Sequence, residues 1–352
     1  MARSTKYAIS LVLMLLSVLA PCHGGHSVPS TGSVTYFQPE DASHTYLHLL
    51  TPSDRLEVEK AQANIERYRK ANITITVVDE KGFPLEGVKI EFNQTDHDFL
   101  FGFQDKDPLT FDSATLMKQV GCNLVVATPY WDMTEPRPGA YVWNFLEIQC
   151  LEDIRSMGFK IKVHPVVYHS SVNIPPWVGT LTPAEVENKT LAHVSQILRK
   201  IPDAEIYELS TEANWDDSRG GLTADRYLRL LKQAASMVRA VRRNVTLDVN
   251  TAFALGEESR PDQMDPYEWY KLLISNGVDF DIIGLQFRPA CQEPGHLSVV
   301  PQLTEVSKKF DLYAQLGKKV HIAEFALPSR QLPEMRKYGQ RDWDEEMQAA
   351  YV

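Results

Sequence analysis

The spacing of apolar positions changes period twice along the chain. Over residues 55–70, RLEVEKAQANIERYRK sets apolar residues at helical intervals among many charges, which predicts a surface helix. The period then shortens to two. NITITVVD alternates apolar and polar residues, EKGFPLEG supplies turn chemistry and VKIEFNQT alternates again, so 72–95 reads as two strands joined by a loop. Such a pair is too small to be stable alone and must pack on another element.

From Phe99 onward short apolar runs alternate with longer amphipathic segments. The runs are FLFGF at 99–103, CNLVVAT at 122–128, KIKVHPVVY at 160–168, EIYELS at 205–210, VTLDVN at 245–250, FDIIGLQF at 280–287 and KVHIAEF at 319–325. Most stand roughly 30 to 45 residues apart, which is room for a crossover helix and its loops and predicts repeated βα units around a parallel sheet. No Gly-x-Gly-x-x-Gly follows any run, so a dinucleotide-binding sheet loses its main support. The expected fold is α/β, a (β/α)8 barrel of TIM type that lacks its eighth βα unit in this chain, because the residues after the seventh run supply only the start of a helix. Truncation is the favoured explanation, with an open seven-unit barrel as the alternative. The expected organisation is a signal peptide at 1–24, an N-terminal arm and helix at 25–71, a small β-segment packed on the barrel at 72–96, and the incomplete barrel at 97–352.

The assignment of the first residues rests on Met-Ala-Arg-Ser-Thr-Lys, the apolar run AISLVLMLLSVLA and then PCHGG, which together read as a basic region, a short apolar core and a cleavage site. The apolar run is short for a membrane span. Cys22 admits a lipoprotein alternative, although Pro21 fits that cleavage poorly. The expectation is therefore a secreted, extracellular protein with no membrane contact after the leader is removed. A net charge of −10 argues against a nucleic-acid partner. Cys122, Cys150 and Cys291 have no metal spacing, so no zinc site and no cofactor are expected; Cys122 and Cys150 sit in apolar contexts and read as core thiols, with one disulfide left open. Sequons begin at Asn72, Asn93, Asn188 and Asn244.

Candidate chemistry lies at the strand ends, since the C-terminal ends of barrel strands share one mouth. YELSTEANWD places Glu212 at the end of the fourth run, and Glu324 ends the seventh. Two carboxyls facing one mouth, one kept protonated and one ionised, are what glycosidic cleavage requires. Where the ionised carboxyl attacks directly, the two carboxyl carbons are expected roughly 5 to 6 Å apart. In VHPVVYHSS, strand alternation sets His164, Val166 and Tyr168 on one face and leaves His169 at the start of the loop. A metal is not indicated, because no third ligand stands near the two histidines.

EPRPGAYVWN, GFKIKVHPVVYHSS, PPWV, IGLQ and HIAEF together resemble glycoside hydrolase family 10, the xylanase-type retaining β-glycosidases, over about residues 72–350. The resemblance implies that Glu212 is the general acid/base and Glu324 the nucleophile. It also implies that His164, Tyr168 and His169 line the sugar site, with Tyr168 where the family usually has Trp, and that Gln286 helps to hold the nucleophile and the sugar. Trp131 and Trp177, with Tyr130 and Trp215, are candidate stacking platforms. Three departures stand out. Thr211 occupies the place of an Asn that bonds the sugar 2-hydroxyl, and its single hydroxyl reaches less far. Arg288 replaces a His bonded to the nucleophile, and an arginine in reach of that carboxylate competes for its oxygens. Tyr130 takes the place of a sugar-gripping Lys. The leading expectation is a monomeric glycoside hydrolase acting on a β-1,4-linked plant-type polysaccharide, xylan-like, or its oligosaccharides. The rival is a non-catalytic carbohydrate-binding protein on the same barrel.

Overall fold

In the structure, a computed structural model, seven strands run parallel in one sheet: β1 (Gly102–Phe103), β2 (Leu124–Ala127), β3 (Lys160–Val163), β4 (Ile206–Thr211), β5 (Thr246–Thr251), β6 (Ile282–Phe287) and β8 (Lys319–Phe325). The residues described are 47–351 apart from 73, 92–96, 105–110, 144–149, 256–262, 289–298, 331–335 and 338–343. The leader, the arm up to residue 46, Cys22, Asn93 and Cys291 lie outside them. Every strand except β8 is followed by helix on the way to the next, and the sheet curls with β1 and β8 at its edges. Among the described residues there is no eighth strand in this sheet. A second, two-stranded parallel sheet joins β7 (Val299–Val300), from the segment after β6, to β9 (Arg336–Lys337), from the segment after β8.

Three of the crossover helices start where the sequence supplies a cap. Thr182 and Glu185 form a reciprocal capping box at the helix Pro183–Lys200, and Thr223 and Asp265 cap Ala224–Val241 and Pro266–Ser275. The inner stripe of Ala224–Val241 buries Tyr227, Leu228, Leu231, Ala234, Ala235 and Val238 against the sheet. Strands β4 and β6 are buried along their whole length, whereas β8, at the edge, alternates between exposed and half-buried positions. Cys122 and Cys150 are free thiols.

The predicted N-terminal helix forms over Pro52–Tyr68, capped by Thr51. Asp54 in its first turn is fully buried, and its Oδ1 accepts the backbone N–H of Leu303 at 2.7 Å. It therefore caps the helix Leu303–Ala314 from a distant part of the chain and ties the N-terminal helix to the barrel. The expected strand pair at 72–95 is not realised among the described residues. One antiparallel bridge, Val78 to Pro84, spans a turn held by Asp79, and Ile75, Val78, Phe83, Leu85, Val88 and Ile90 stay exposed. With its apolar face unburied, a two-stranded ribbon has little to stabilise it, and the alternating pattern does not suffice to make a ladder.

Candidate functional site

A layer of buried polar groups fills the inside of the curl beneath the mouth. Lys162 on β3 places Nζ 2.6 Å from Glu208 on β4 and 2.7 Å from Asp248 on β5. Asp248 also meets His321 Nε2 of β8 at 3.0 Å, and Glu208 meets His164 Nδ1 at 2.7 Å. Burial works against the charge on Lys162, yet the two carboxylates overcome it and hold its pKa above the ordinary lysine value. Burial likewise opposes ionisation of Asp248 and Glu208, but the cations beside them draw both below the usual carboxylate range. Gly284 on β6 belongs to this layer: a Cβ there would stand 2.6 Å from Asp248 Oδ1 and 3.0 Å from both Val249 O and Ala323 Cβ.

Two irregularities of register aim the carboxylates above this layer. On β4 the pairing with β5 slips between Glu208 and Ser210, after which Thr211 faces Asn250 and the Glu212 N–H bonds Asn250 O at 2.9 Å. On β8 Ile322 faces Leu285 while Glu324 faces Gln286, so Ala323 is the extra residue that turns Glu324 toward the mouth. Glu212 itself adopts φ +53°, in the left-handed region that a non-glycine residue enters at a cost of about 1–3 kcal/mol.

The side-chain amide of Gln286 joins the two carboxylates. Its Nε2 donates to Glu212 Oε1 at 2.9 Å and to Glu324 Oε1 at 3.0 Å, so these oxygens lie no further apart than two hydrogen bonds laid end to end. Tyr168 Oη donates to Glu212 Oε2 at 2.7 Å. Asn250 Nδ2 donates to Glu324 Oε1 at 2.8 Å, and Arg288 donates to Glu324 Oε2 at 2.9 Å. His164 Nε2 stands 3.9 Å from Glu324 Oε1. Burial, followed by the charge of Glu324, raises the pKa of Glu212 above its ordinary value, against the opposing hydrogen bonds from Tyr168 and Gln286. Burial depresses His164, but Glu208 and then Glu324 reverse the sign and leave its pKa raised.

Other predicted site residues lie elsewhere. His169 is only 1% exposed, hydrogen-bonds Thr190 Oγ1 through Nε2 at 2.9 Å and packs against Trp131 and Tyr227, so it lies behind the mouth among the helices and does not line it. Both residues follow the end of β3 and the isolated bridge at Val167, where the Tyr168 side chain runs to Glu212 and that of His169 to Thr190. Trp131 is buried as well, stacked on His193 at 5.2 Å with Nε1 donating to Glu135, and offers no face for a sugar. Trp177 is half-buried, edge-on to Trp131, with its N–H on Glu135 O. Thr211 is buried, and its Oγ1 has no hydrogen-bond partner among the described residues. Tyr130 lies beside both His164 and Tyr168, with ring centroids 6.2 and 6.3 Å away. Trp215 is half-buried on the loop after Glu212.

The buried His169 and His193 give the fold an acid-sensitive point. Burial lowers His169 to about 4; burial and then His169 lower His193 to about 3. The unfolded chain binds protons at these residues below its histidine pKa of about 6.5, and the folded chain does not. Stability is thus fully present above about pH 6.5 and falls as the pH drops toward 4, by on the order of 3 kcal/mol per histidine. His164, shifted upward, titrates above this window. Urea unfolding at pH 7 and pH 4.5 is expected to show this loss, and His193→Gln should make the pH dependence shallower; equal stability at the two pH values would contradict the assignment.

The sequence pattern of Glycosyl hydrolase family 10 matches residues 110–351. The chain belongs to glycosyl hydrolase family 10. This family 10 chain is 24% identical over 235 residues to the anti-sigma-I factor RsgI6 of Acetivibrio thermocellus, a match that covers 65% of the chain and 30% of that relative, so it spans under a third of the relative's length. Among solved structures it is similar to a family 10 protein of Paenibacillus barcinonensis, at TM-score 0.51 and 18% identity, covering 70% of this chain and 74% of that one. It is also similar to native xylanase 10C of Cellvibrio japonicus, at TM-score 0.51 and 16% identity over 72% of this chain and 57% of that one. These likenesses establish the family 10 barrel fold. Lys162, Glu208, Asp248, Asn250 and His321 escaped the sequence reading, although each sits within a run read as a strand; polar residues at inward positions of KIKVH, YELS, LDVN and VHIAE were the available signal.

Proposed function

We propose that this chain is a secreted retaining glycoside hydrolase that cleaves β-1,4-linked, xylan-like polysaccharide or its oligosaccharides. The observation that carries the reading is the amide of Gln286 bonded to both Glu212 and Glu324, which brings two carboxyls from opposite sides of the curl within the reach of one sugar bond. The two oxygens that share this amide lie at most two hydrogen bonds apart, a separation nearer the roughly 5–5.5 Å typical of direct attack than the roughly 6.5–9.5 Å typical of an inverting enzyme. In the first step a Glu324 oxygen bonds to the anomeric carbon as the glycosidic C–O bond breaks, and Glu212 gives its proton to the departing oxygen. In the second, Glu212 takes a proton from water, whose oxygen attacks the same carbon and releases Glu324. The raised pKa of Glu212 suits the donor role. Arg288 engages Glu324 Oε2, which makes this carboxylate a weaker nucleophile in the first step and a better leaving group in the second. The leader-like residues 1–24 support export, and no helix among the described residues is long and apolar enough to cross a membrane.

Two observations favour a second reading, a sugar-binding module without turnover: the Arg288–Glu324 ion pair and a relative named as an anti-sigma factor. The two are separated by incubating the protein with xylo-oligosaccharides and with a 2-deoxy-2-fluoro aryl β-xyloside, which slows the second step. Hydrolysis together with a fluoroxylosyl adduct on Glu324 in peptide mass spectra is the expected result. Oligosaccharide binding with neither product nor adduct would replace the hydrolase by the binding module.

A further inference from the structure

We infer that Tyr168 is a positioning residue for Glu212, its phenol partnering the carboxyl in both protonation states and assigning the transferable proton to Oε2. The catalytic consequence rests on the glycosidase reading above. The two oxygens of Glu212 have chemically different partners. Oε1 faces the amide nitrogen of Gln286, which only donates and is shared with Glu324. A proton on Oε1 would point at an N–H, so Oε1 stays an acceptor. Oε2 faces the Tyr168 hydroxyl at 2.7 Å. A phenol both donates and accepts, so it donates to Oε2 while Glu212 is ionised and turns to accept when Oε2 carries the proton. An indole, which the family resemblance sets at this position, has a donor only and cannot make that exchange.

The phenol is held for this task. Tyr168 is half-buried, and the Tyr130 ring lies 6.3 Å away on one side. Burial and then the Glu212 charge drive the Tyr168 pKa far above that of a free tyrosine, so the hydroxyl stays neutral and keeps its proton throughout the range in which Glu212 titrates. A hydrogen bond given to the ionised carboxylate favours that form, so the phenol works against the burial that raises Glu212. Removing it frees the upward shift.

The test follows the carboxyl itself. Protein labelled with 13C at the glutamate side-chain carboxyl is titrated by NMR, with Glu212→Gln used to assign the resonance. In Tyr168→Phe the Glu212 midpoint is expected to rise by about one pH unit. The alkaline limb of kcat/KM should move up with it, while kcat falls about tenfold and KM changes less than about twofold. A midpoint equal to that of the wild type overturns the proposal. A second measurement leaves Tyr168 in place: with 13Cζ-labelled tyrosine, one resonance should inflect at the Glu212 midpoint and lose the inflection in Glu212→Gln. No such inflection also overturns it. Because neither NMR measurement needs turnover, a shifted midpoint in protein that hydrolyses nothing would sink the glycosidase reading alone, and an unshifted midpoint in an active enzyme would sink this proposal alone.

Discussion

Glu324→Ala is expected to lower kcat on an aryl β-xyloside by about 10⁴-fold or more, while the melting temperature moves by no more than a few degrees. The catalytic loss is large because the bond-forming oxygen is gone, and no group among those around it is placed to substitute. The stability loss is small because Arg288, whose side chain is 29% exposed, can turn to water once its carboxylate is removed. Azide or formate added to the variant should restore part of the rate. A small anion can enter the space left by the carboxylate beside the Arg288 guanidinium and attack in its stead, giving a product of inverted configuration. Progress curves with and without azide, and the configuration of the product, are the measurements. Wild-type turnover by the Ala variant would remove Glu324 from the chemistry.

The second large effect falls on stability. Lys162→Met is expected to cost about 3–5 kcal/mol, because Glu208 and Asp248 would remain inside the curl without the cation that lies between them. Both carboxylates are fully buried, and their low pKa values depend in part on Lys162. Without it their folded-state pKa values rise, so the folded variant binds protons that the unfolded chain releases near pH 7, and the deficit should shrink as the pH falls toward 5. Denaturant midpoints of both proteins at pH 7.5 and pH 5.5 check this. A loss below about 1 kcal/mol, or one that does not vary with pH, would show that the layer does not work as a coupled unit. Glu208 is the link to the mouth, since it also holds His164 and accepts from Asn250, which in turn holds Glu324. For that reason the destabilised variant is expected to lose turnover as well.

The order of the strands was legible in the linear pattern. KVHIAEF became a strand over Lys319–Phe325 with its predicted bounds, and EIYELS and VTLDVN are each offset by about one residue. Buried strands of a parallel sheet write themselves as short apolar runs between amphipathic helices, and helix caps such as Thr182 and Thr223 mark the starts. The placement of Glu212, Glu324, Gln286 and Arg288 near one another also followed, because strand ends of one parallel sheet share an edge. The separate directions of Tyr168 and His169 agree with the expected alternation although both lie past the end of β3, but the function attached to His169 was not legible, because a family motif does not tell what that side chain touches.

NITITVVD is the opposite case. Its period of two is as clear as that of any run in the barrel, yet among the described residues only a single bridge forms, since a ladder needs a second surface on which to bury its face and the alternation carries no information about one. The polar layer shows the same limit from the other side. Lys162, Glu208, Asp248 and His321 come from four strands, and their pairing depends on how tightly the sheet curls and where its register slips. The amino-acid sequence by itself determined which segments become strands and helices and which ends carry carboxylates, because hydrophobic period and capping are local properties. Only the tertiary structure decided that one amide would hold both Glu212 and Glu324, that Arg288 would reach Glu324 and that Tyr168 would reach Glu212, because those distances are set by sheet curvature and by one extra residue on each of two strands.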